Sequence, residues 1–147
     1  MIHLPNDFKE FLQLLNAKKI EYLVVGGYAV ALYGYPRATG DIDIWIAISS
    51  DTAQRMFDAL QDFGFSVPEL KKELFLEPGR NIRMGNPPLR IEVLTSIDGV
   101  VFSDCFRDRN TVVLENIPVH FISLSDLKKN KLASGRLQDR ADVEHLG

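Results

Sequence analysis

The stretch VVGGYAVALYGYPRATGDIDIWIAI, residues 24–48, decides the fold. Val24-Val25 ends a buried strand that breaks at the pair Gly26-Gly27. A short helix is predicted over Tyr28–Tyr33, stopped by Gly34 and by Pro36, whose ring biases Tyr35 out of the helical region. A second strand, Asp41–Ile48, opens with two carboxylates. In a strand, Asp41 and Asp43 lie on one face with Cα atoms about 6.6 to 6.8 Å apart. Ile42, Ile44, Ile46 and Ile48 then point to the other face, into a core. That alternation pins the register, because a slip of one residue would bury the aspartates and expose the isoleucines.

Two carboxylates whose oxygens lie about 5 Å apart repel by roughly 3 kcal/mol at an effective dielectric near 20. A cation is therefore expected between them. Oxygen donors of like charge on a rigid strand suit a hard divalent ion, and Mg²⁺ commonly takes one or two carboxylates together with substrate phosphates. Gly26 and Gly27 supply the complement. A glycine pair at a helix start lets backbone approach a ligand, and the unpaired N–H groups there favour an anion. A tight turn is the simpler reading of the glycines alone. A dinucleotide-binding start is excluded because no third glycine follows at the required spacing.

Outward from this stretch, Asn6–Lys18 reads as a helix with Phe8, Phe11, Leu12 and Leu15 on one stripe, and Glu21–Val25 as the first strand. Ser49-Ser50-Asp51 caps a helix over Thr52–Asp62 that ends at Gly64. Ser66–Gly79 reads as loop, broken by Val67-Pro68, with a helical turn over Glu69–Leu74 as the alternative. Ile82–Met84 and Leu89–Thr95 form one hairpin, and Thr111–Leu114 and Val119–Ile122 another that turns at Glu115–Pro118. Helices are predicted over Val101–Arg109, Ser125–Ser134 with Ser125 as cap, and Leu137–Leu146. The pattern is α/β (α+β): a mixed β-sheet flanked by helices, in a single domain over residues 1–147.

Composition narrows the classes. A net charge of −3 argues against general nucleic-acid binding through bulk electrostatics. The lone cysteine, Cys105, rules out an internal disulfide framework and a cysteine-based zinc site. No apolar run reaches the roughly 18 to 20 residues needed to span a bilayer, so a reducing cytoplasm is expected and no membrane. His3, His120 and His145 are dispersed and build no triad.

On the strand Leu89–Leu94, Arg90 and Glu92 face away from Ile91 and Val93. If this strand neighbours the Asp41/Asp43 strand, Glu92 completes a three-carboxylate cluster suited to metal-assisted phosphoryl transfer with one or two Mg²⁺ ions. Glu92 is then also a candidate proton acceptor. Arg90 shares its face and either meets a phosphate or forms a structural salt bridge. Arg37, with Thr39, either orders the loop, touches a phosphate, or pairs with Asp41. Arg80 and Arg83 either meet an acidic acceptor or are solvated hairpin arginines. Lys131 and Arg136 either reach a triphosphate or decorate a helix surface. Trp45 either stacks on a base or covers the site.

Gly26-Gly27, Asp41-Ile42-Asp43-Ile44 and Ile91-Glu92-Val93 resemble the three-part signature of the nucleotidyltransferase superfamily that includes DNA polymerase beta. The string GGYAVALYGYPRATGDIDIWI is most similar to its small members of the abortive-infection and toxin–antitoxin type. The charged tail with Lys131, Arg136, Asp139 and Asp142 resembles their C-terminal helices. The resemblance implies transfer of a nucleoside monophosphate from a nucleoside triphosphate to a hydroxyl acceptor. It gives Gly26 and Gly27 the phosphates and makes Asp41, Asp43 and Glu92 the metal ligands. Gly27 departs from the serine of many relatives, which removes a hydroxyl donor. The alternative is a nucleotide-binding interaction module of low or no activity that works with a partner protein.

Overall fold

The computed structural model describes residues 2–34, 40–85 and 89–146. In chain order the elements are α1 (Asn6–Ala17), β1 (Tyr22–Val25), α2 (Gly26–Leu32), β2 (Asp41–Ile46), α3 (Ser50–Phe63), β3 (Asn81–Met84) and β4 (Arg90–Leu94). Then follow α4 (Phe102–Arg107), β5 (Asn110–Leu114), β6 (Ile117–Phe121), α5 (Leu124–Ser134) and α6 (Leu137–His145). The strands form one mixed sheet in the order β3-β4-β2-β1-β6-β5. β1 runs antiparallel to β2 and parallel to β6, and β2 runs parallel to β4. The two outer hairpins close antiparallel.

Alternation along β2 builds the core as expected, since Ile42, Ile44 and Ile46 are all buried. The isoleucine run stops there. Ile48 lies past the strand end and is 43 % exposed. From α1, Phe8, Phe11, Leu12 and Leu15 are buried, and Phe11 meets Phe63 of α3 edge to face at 5.3 Å. Ile91 of β4 shares a small cavity with Phe8 and Phe63. The isoleucine face of the sheet is thus covered by α1 and α3, and the opposite face of β2 and β4 is left to the carboxylates.

Local chemistry moves several predicted boundaries. The helix after β1 begins at Gly26 itself, so the glycine pair forms its first turn instead of preceding it. Ser49 caps α3 by accepting the Thr52 N–H at 3.1 Å, and Gly64 ends it with φ +97°. The α5 cap is Ser123, which accepts the Asp126 N–H at 3.1 Å, and Ser125 lies inside the helix. The β5–β6 turn is the two residues Glu115 and Asn116, both at positive φ, so Ile117 and Pro118 belong to the strand. Such a turn matches the twist of the strands it joins.

The segment read as loop contains a turn of 3₁₀ helix, Lys72–Leu76, whose Phe75 is fully buried. Of its apolar residues only Leu70 and Phe75 are buried, while Val67 and Leu76 are exposed, so the buried positions are too few to show a period. Phe75→Ala is expected to lower unfolding free energy by about 3 kcal/mol. Urea denaturation checks this, and a loss under about 0.5 kcal/mol, typical of surface sites, would show that the segment is not part of the core.

Candidate active site

The parallel ladder between β2 and β4 sets Asp41 opposite Arg90 and Asp43 opposite Glu92. All four side chains therefore rise from the face that the isoleucines vacate. Asp41 is held by a two-pronged bond, Arg90 Nε to Oδ1 and Nη2 to Oδ2, both 3.1 Å. Asp43 sits in the middle of the β1-β2-β4 triplet, flanked by Val25 and Glu92. Burial pushes its carboxyl up to about 7. The charge of Glu92 and a hydrogen bond between the two carboxyls add to the rise, as does the charge of Asp41, while Lys131 acts in the opposite direction.

Gly26 presses directly on this group. Its φ is +67°, and a Cβ built there would overlap the Asp43 Oδ2 atom. Both facts require glycine, the first because side chains rarely adopt that backbone and the second because the carboxylate fills the space. Gly27 follows as a buried residue in the same helical turn.

A cleft of about 340 Å³ opens beside Asp43 and Gly26. Asn81 and Leu94 line its β3–β4 side, and Asn130, Lys131, Ser134 and Arg136 line the side formed by α5 and the start of α6. Lys131 is only 5 % exposed, so it is not surface decoration. Its Nζ bonds Asp139 Oδ1 at 2.8 Å and Asp142 Oδ2 at 3.2 Å, both aspartates being buried. Asp139 also accepts from Ser134 Oγ and from Arg136 Nε, the latter at 2.8 Å. The acidic pair on α6 thereby holds two cations at the cleft wall.

Of the residues picked from sequence, the structure brings together Gly26, Asp43, Glu92 and, across the cleft, Lys131. Asp41 and Arg90 adjoin them as a bonded pair. Arg37 and Thr39 lie outside the described residues. Trp45 is buried and packs edge-on against Phe102 at 5.1 Å, so it offers no open face to a base. Arg83 is not merely solvated: its Nε bonds Glu92 Oε1 at 3.2 Å. That contact depends on hairpin register, in which Met84 opposite Ile91 brings Arg83 opposite Glu92, and no local pattern encodes it. Asp139 and Asp142 carried a signal that went unused, a spacing of three on a helix, which puts both on one face. Cys105 is buried, and burial together with the Asp126 charge pushes its thiol up to about 12, which disqualifies it as a nucleophile.

The donor set suits a hard cation, because Asp43 and Glu92 are carboxylates set directly opposite each other in the ladder. Among the described residues, no three His, Cys, Asp or Glu side chains are grouped as a ready metal cage. Asp41 has both oxygens engaged by Arg90 and would have to exchange that partner to join the other two.

The same fold is seen in solved structures. A Thermotoga maritima protein assigned as a nucleotidyltransferase, TM1012, superposes with a TM-score of 0.63 at 16 % identity, covering 92 % of this chain and 87 % of the other. The lincosamide antibiotic adenylyltransferase LnuA, solved with lincomycin bound, gives 0.60 at 17 % identity, covering 97 % and 96 %. An antigenic nucleotidyltransferase-like protein from Paracoccidioides brasiliensis gives 0.57 at 19 % identity, covering 92 % and 71 %. No curated protein matches the sequence. The chain belongs to the family described as "Nucleotidyltransferase of unknown function (DUF6036)", whose model matches residues 2–146. Among the described residues, no helix is long and apolar enough to cross a membrane.

Burial alone would raise the Asp139 carboxyl, but bonds from Lys131, Ser134 and Arg136 outweigh it and hold the group below its ordinary value of 3.8. A depressed folded value stabilises the protein above pH 3.8, and that contribution fades as pH falls through the lower folded value. Asp139→Asn is expected to flatten the loss of stability on acidification below that point, measured by urea titration at successive pH. Lys131→Met removes a cation from two buried carboxylates and is expected to cost about 3 kcal/mol at neutral pH.

Proposed function

We propose that the chain is a Mg²⁺-dependent nucleotidyltransferase that moves a nucleoside monophosphate from a nucleoside triphosphate to a hydroxyl acceptor. The observation that carries this reading is the Asp43–Glu92 pair abutting across the β2–β4 ladder at a cleft whose far wall presents Lys131 and Arg136. Acids and bases stand on opposite sides of a space that a triphosphate could enter. The family description and the likeness to LnuA support nucleotidyl transfer as the reaction class.

Asp43, Glu92 and, after exchange from Arg90, Asp41 would hold the metal. Bound there, Mg²⁺ would neutralise the carboxylates, screen the triphosphate and acidify the acceptor hydroxyl. The remaining roles fall to the protein's own groups. Gly26 and Gly27 let the phosphate chain approach the backbone of α2. Lys131, aimed by Asp139 and Asp142, and Arg136, aimed by Asp139, offset the charge that grows on the leaving pyrophosphate. Glu92 is placed to accept the hydroxyl proton as the new oxygen–phosphorus bond forms and the bond between the α and β phosphates breaks. Arg37 and Thr39 complete the proposed nucleotide contacts, and Arg90, which does not line the cleft, is not among them.

A second reading has its own observation. Asp41 and Glu92 are each bonded to an arginine, an arrangement compatible with a module that binds nucleotide without turnover and acts with a partner protein, as in a toxin–antitoxin pair. Incubation with each labelled triphosphate and Mg²⁺, with and without the neighbouring gene's product, separates the two readings. Label on any acceptor favours the enzyme.

Asp43→Asn is expected to weaken Mg²⁺-nucleotide binding and transfer by at least about 10–100-fold, the range for groups one step further from a metal. Isothermal titration with unchanged affinity in that variant would remove Asp43 from the assigned role.

A further inference from the structure

We propose that Arg83, together with Arg90, forms an acceptor-side clamp for an anionic group, a phosphate or carboxylate, carried by a small acceptor beside the hydroxyl to be modified. The inference rests on the transferase reading and adds the chemical class of the acceptor.

Positive charge near the carboxylates comes in two sets. Lys131 and Arg136 line the cleft, whereas neither Arg83 nor Arg90 does. Arg83 rises from β3, the strand at the edge of the sheet, where an incoming molecule has access. Its side chain is 62 % exposed, and its bond to Glu92 uses Nε, which leaves both NH₂ groups for another oxygen. Glu92 is far less exposed, so the guanidinium reaches in from solvent to meet it. Arg90 stands on the adjacent strand and is bonded to Asp41 through one edge of its fork.

A divalent ion competes for those same oxygens. The single bond from the largely exposed Arg83 is the weaker of the two pairs and the two-pronged Arg90–Asp41 pair the stronger, and an ion with twice the charge and no long side chain to immobilise competes with both. Loading the carboxylates then leaves two guanidinium groups beside a cation, a surplus of positive charge that a second anion would relieve. The planar fork fits phosphate or carboxylate oxygens, and the same charge repels a basic acceptor. With the triphosphate in the cleft, that second anion belongs to the acceptor. Two cations on a chain of net charge −3 suit a small molecule and fall short of a track for a polyanion.

The test uses the full chain and readouts other than turnover. Mn²⁺ alone, followed by electron paramagnetic resonance, is expected to bind Arg83→Gln several-fold more tightly than the parent, because a competing cation is gone. With Mn²⁺ and a non-hydrolysable triphosphate saturating, inorganic phosphate and acetate are titrated separately. The better of the two probes is expected to lose about tenfold in affinity in Arg83→Gln, with part of it regained in Arg83→Lys, and the parent is expected to bind it comparably weakly without Mn²⁺. Equal probe binding in parent and Arg83→Gln, binding that ignores Mn²⁺, binding of neither probe, or weaker Mn²⁺ binding in Arg83→Gln overturns the proposal. Failure of the transferase reading shows separately, as no Mn²⁺-dependent nucleotide binding by the parent. The metal titration and the probe titrations with Mn²⁺ alone then still decide the role of Arg83.

Discussion

The parallel register between β2 and β4, which sets Asp43 against Glu92, is the constraint on which the rest of the site depends. Side chains directly opposite each other in a ladder are close, and like charges so placed are unfavourable. The sheet tolerates the pair because its other face is fully committed. Ile42, Ile44, Ile91 and Val93 are buried behind it, and any shift that separated the acids would expose those groups. Electrostatic strain at the surface is thus held in place by hydrophobic burial underneath. Burial first, and the charge of Glu92 after it, raise the Asp43 carboxyl, and Gly26 closes the remaining space around it.

Opposite the acids, the cations are not simply displayed on a helix. Lys131 is buried and charged groups surround it on α6, so its ammonium has a fixed direction that an exposed lysine would lack. Burying a lysine alone would favour its neutral form, and the two aspartates counter that tendency. Arg136 shares Asp139 yet keeps most of its side chain in solvent. One short helix therefore orders both a buried and an exposed positive group along the cleft. The C-terminal hairpin of α5 and α6 belongs to the site as fully as the strand that carries the aspartates.

On the β3–β4 side the arginines have the opposite character. Arg83 is exposed and Arg90 half-buried, each bonded to a carboxylate that would serve a metal in the proposed reaction. The site is thereby balanced internally, with Asp41 and Glu92 countered by arginine and Asp43 by its shared hydrogen bond and the nearby Lys131. Such a site holds together without bound ions and can exchange partners when one arrives.

Much of this was legible from residues alone. Alternation in Asp41–Ile46 specified a strand, its two faces and the placement of both aspartates, because a period of two leaves no other way to bury the isoleucines. The stripe Phe8, Phe11, Leu12, Leu15 likewise specified α1. Gly26-Gly27 was read as a close-approach point, and the structure shows what approaches it, the Asp43 carboxylate. What sequence could not decide were pairings across the chain. That β4 lies beside β2, that Arg83 meets Glu92, that Lys131 faces inward between Asp139 and Asp142, and that Phe75 anchors a polar segment all follow from how separate elements pack. Local pattern encodes which face of an element is apolar. Which partner that face or its polar counterpart meets is set by the register and docking of segments far apart in sequence, where burial of the whole core chooses among alternatives that look equal locally.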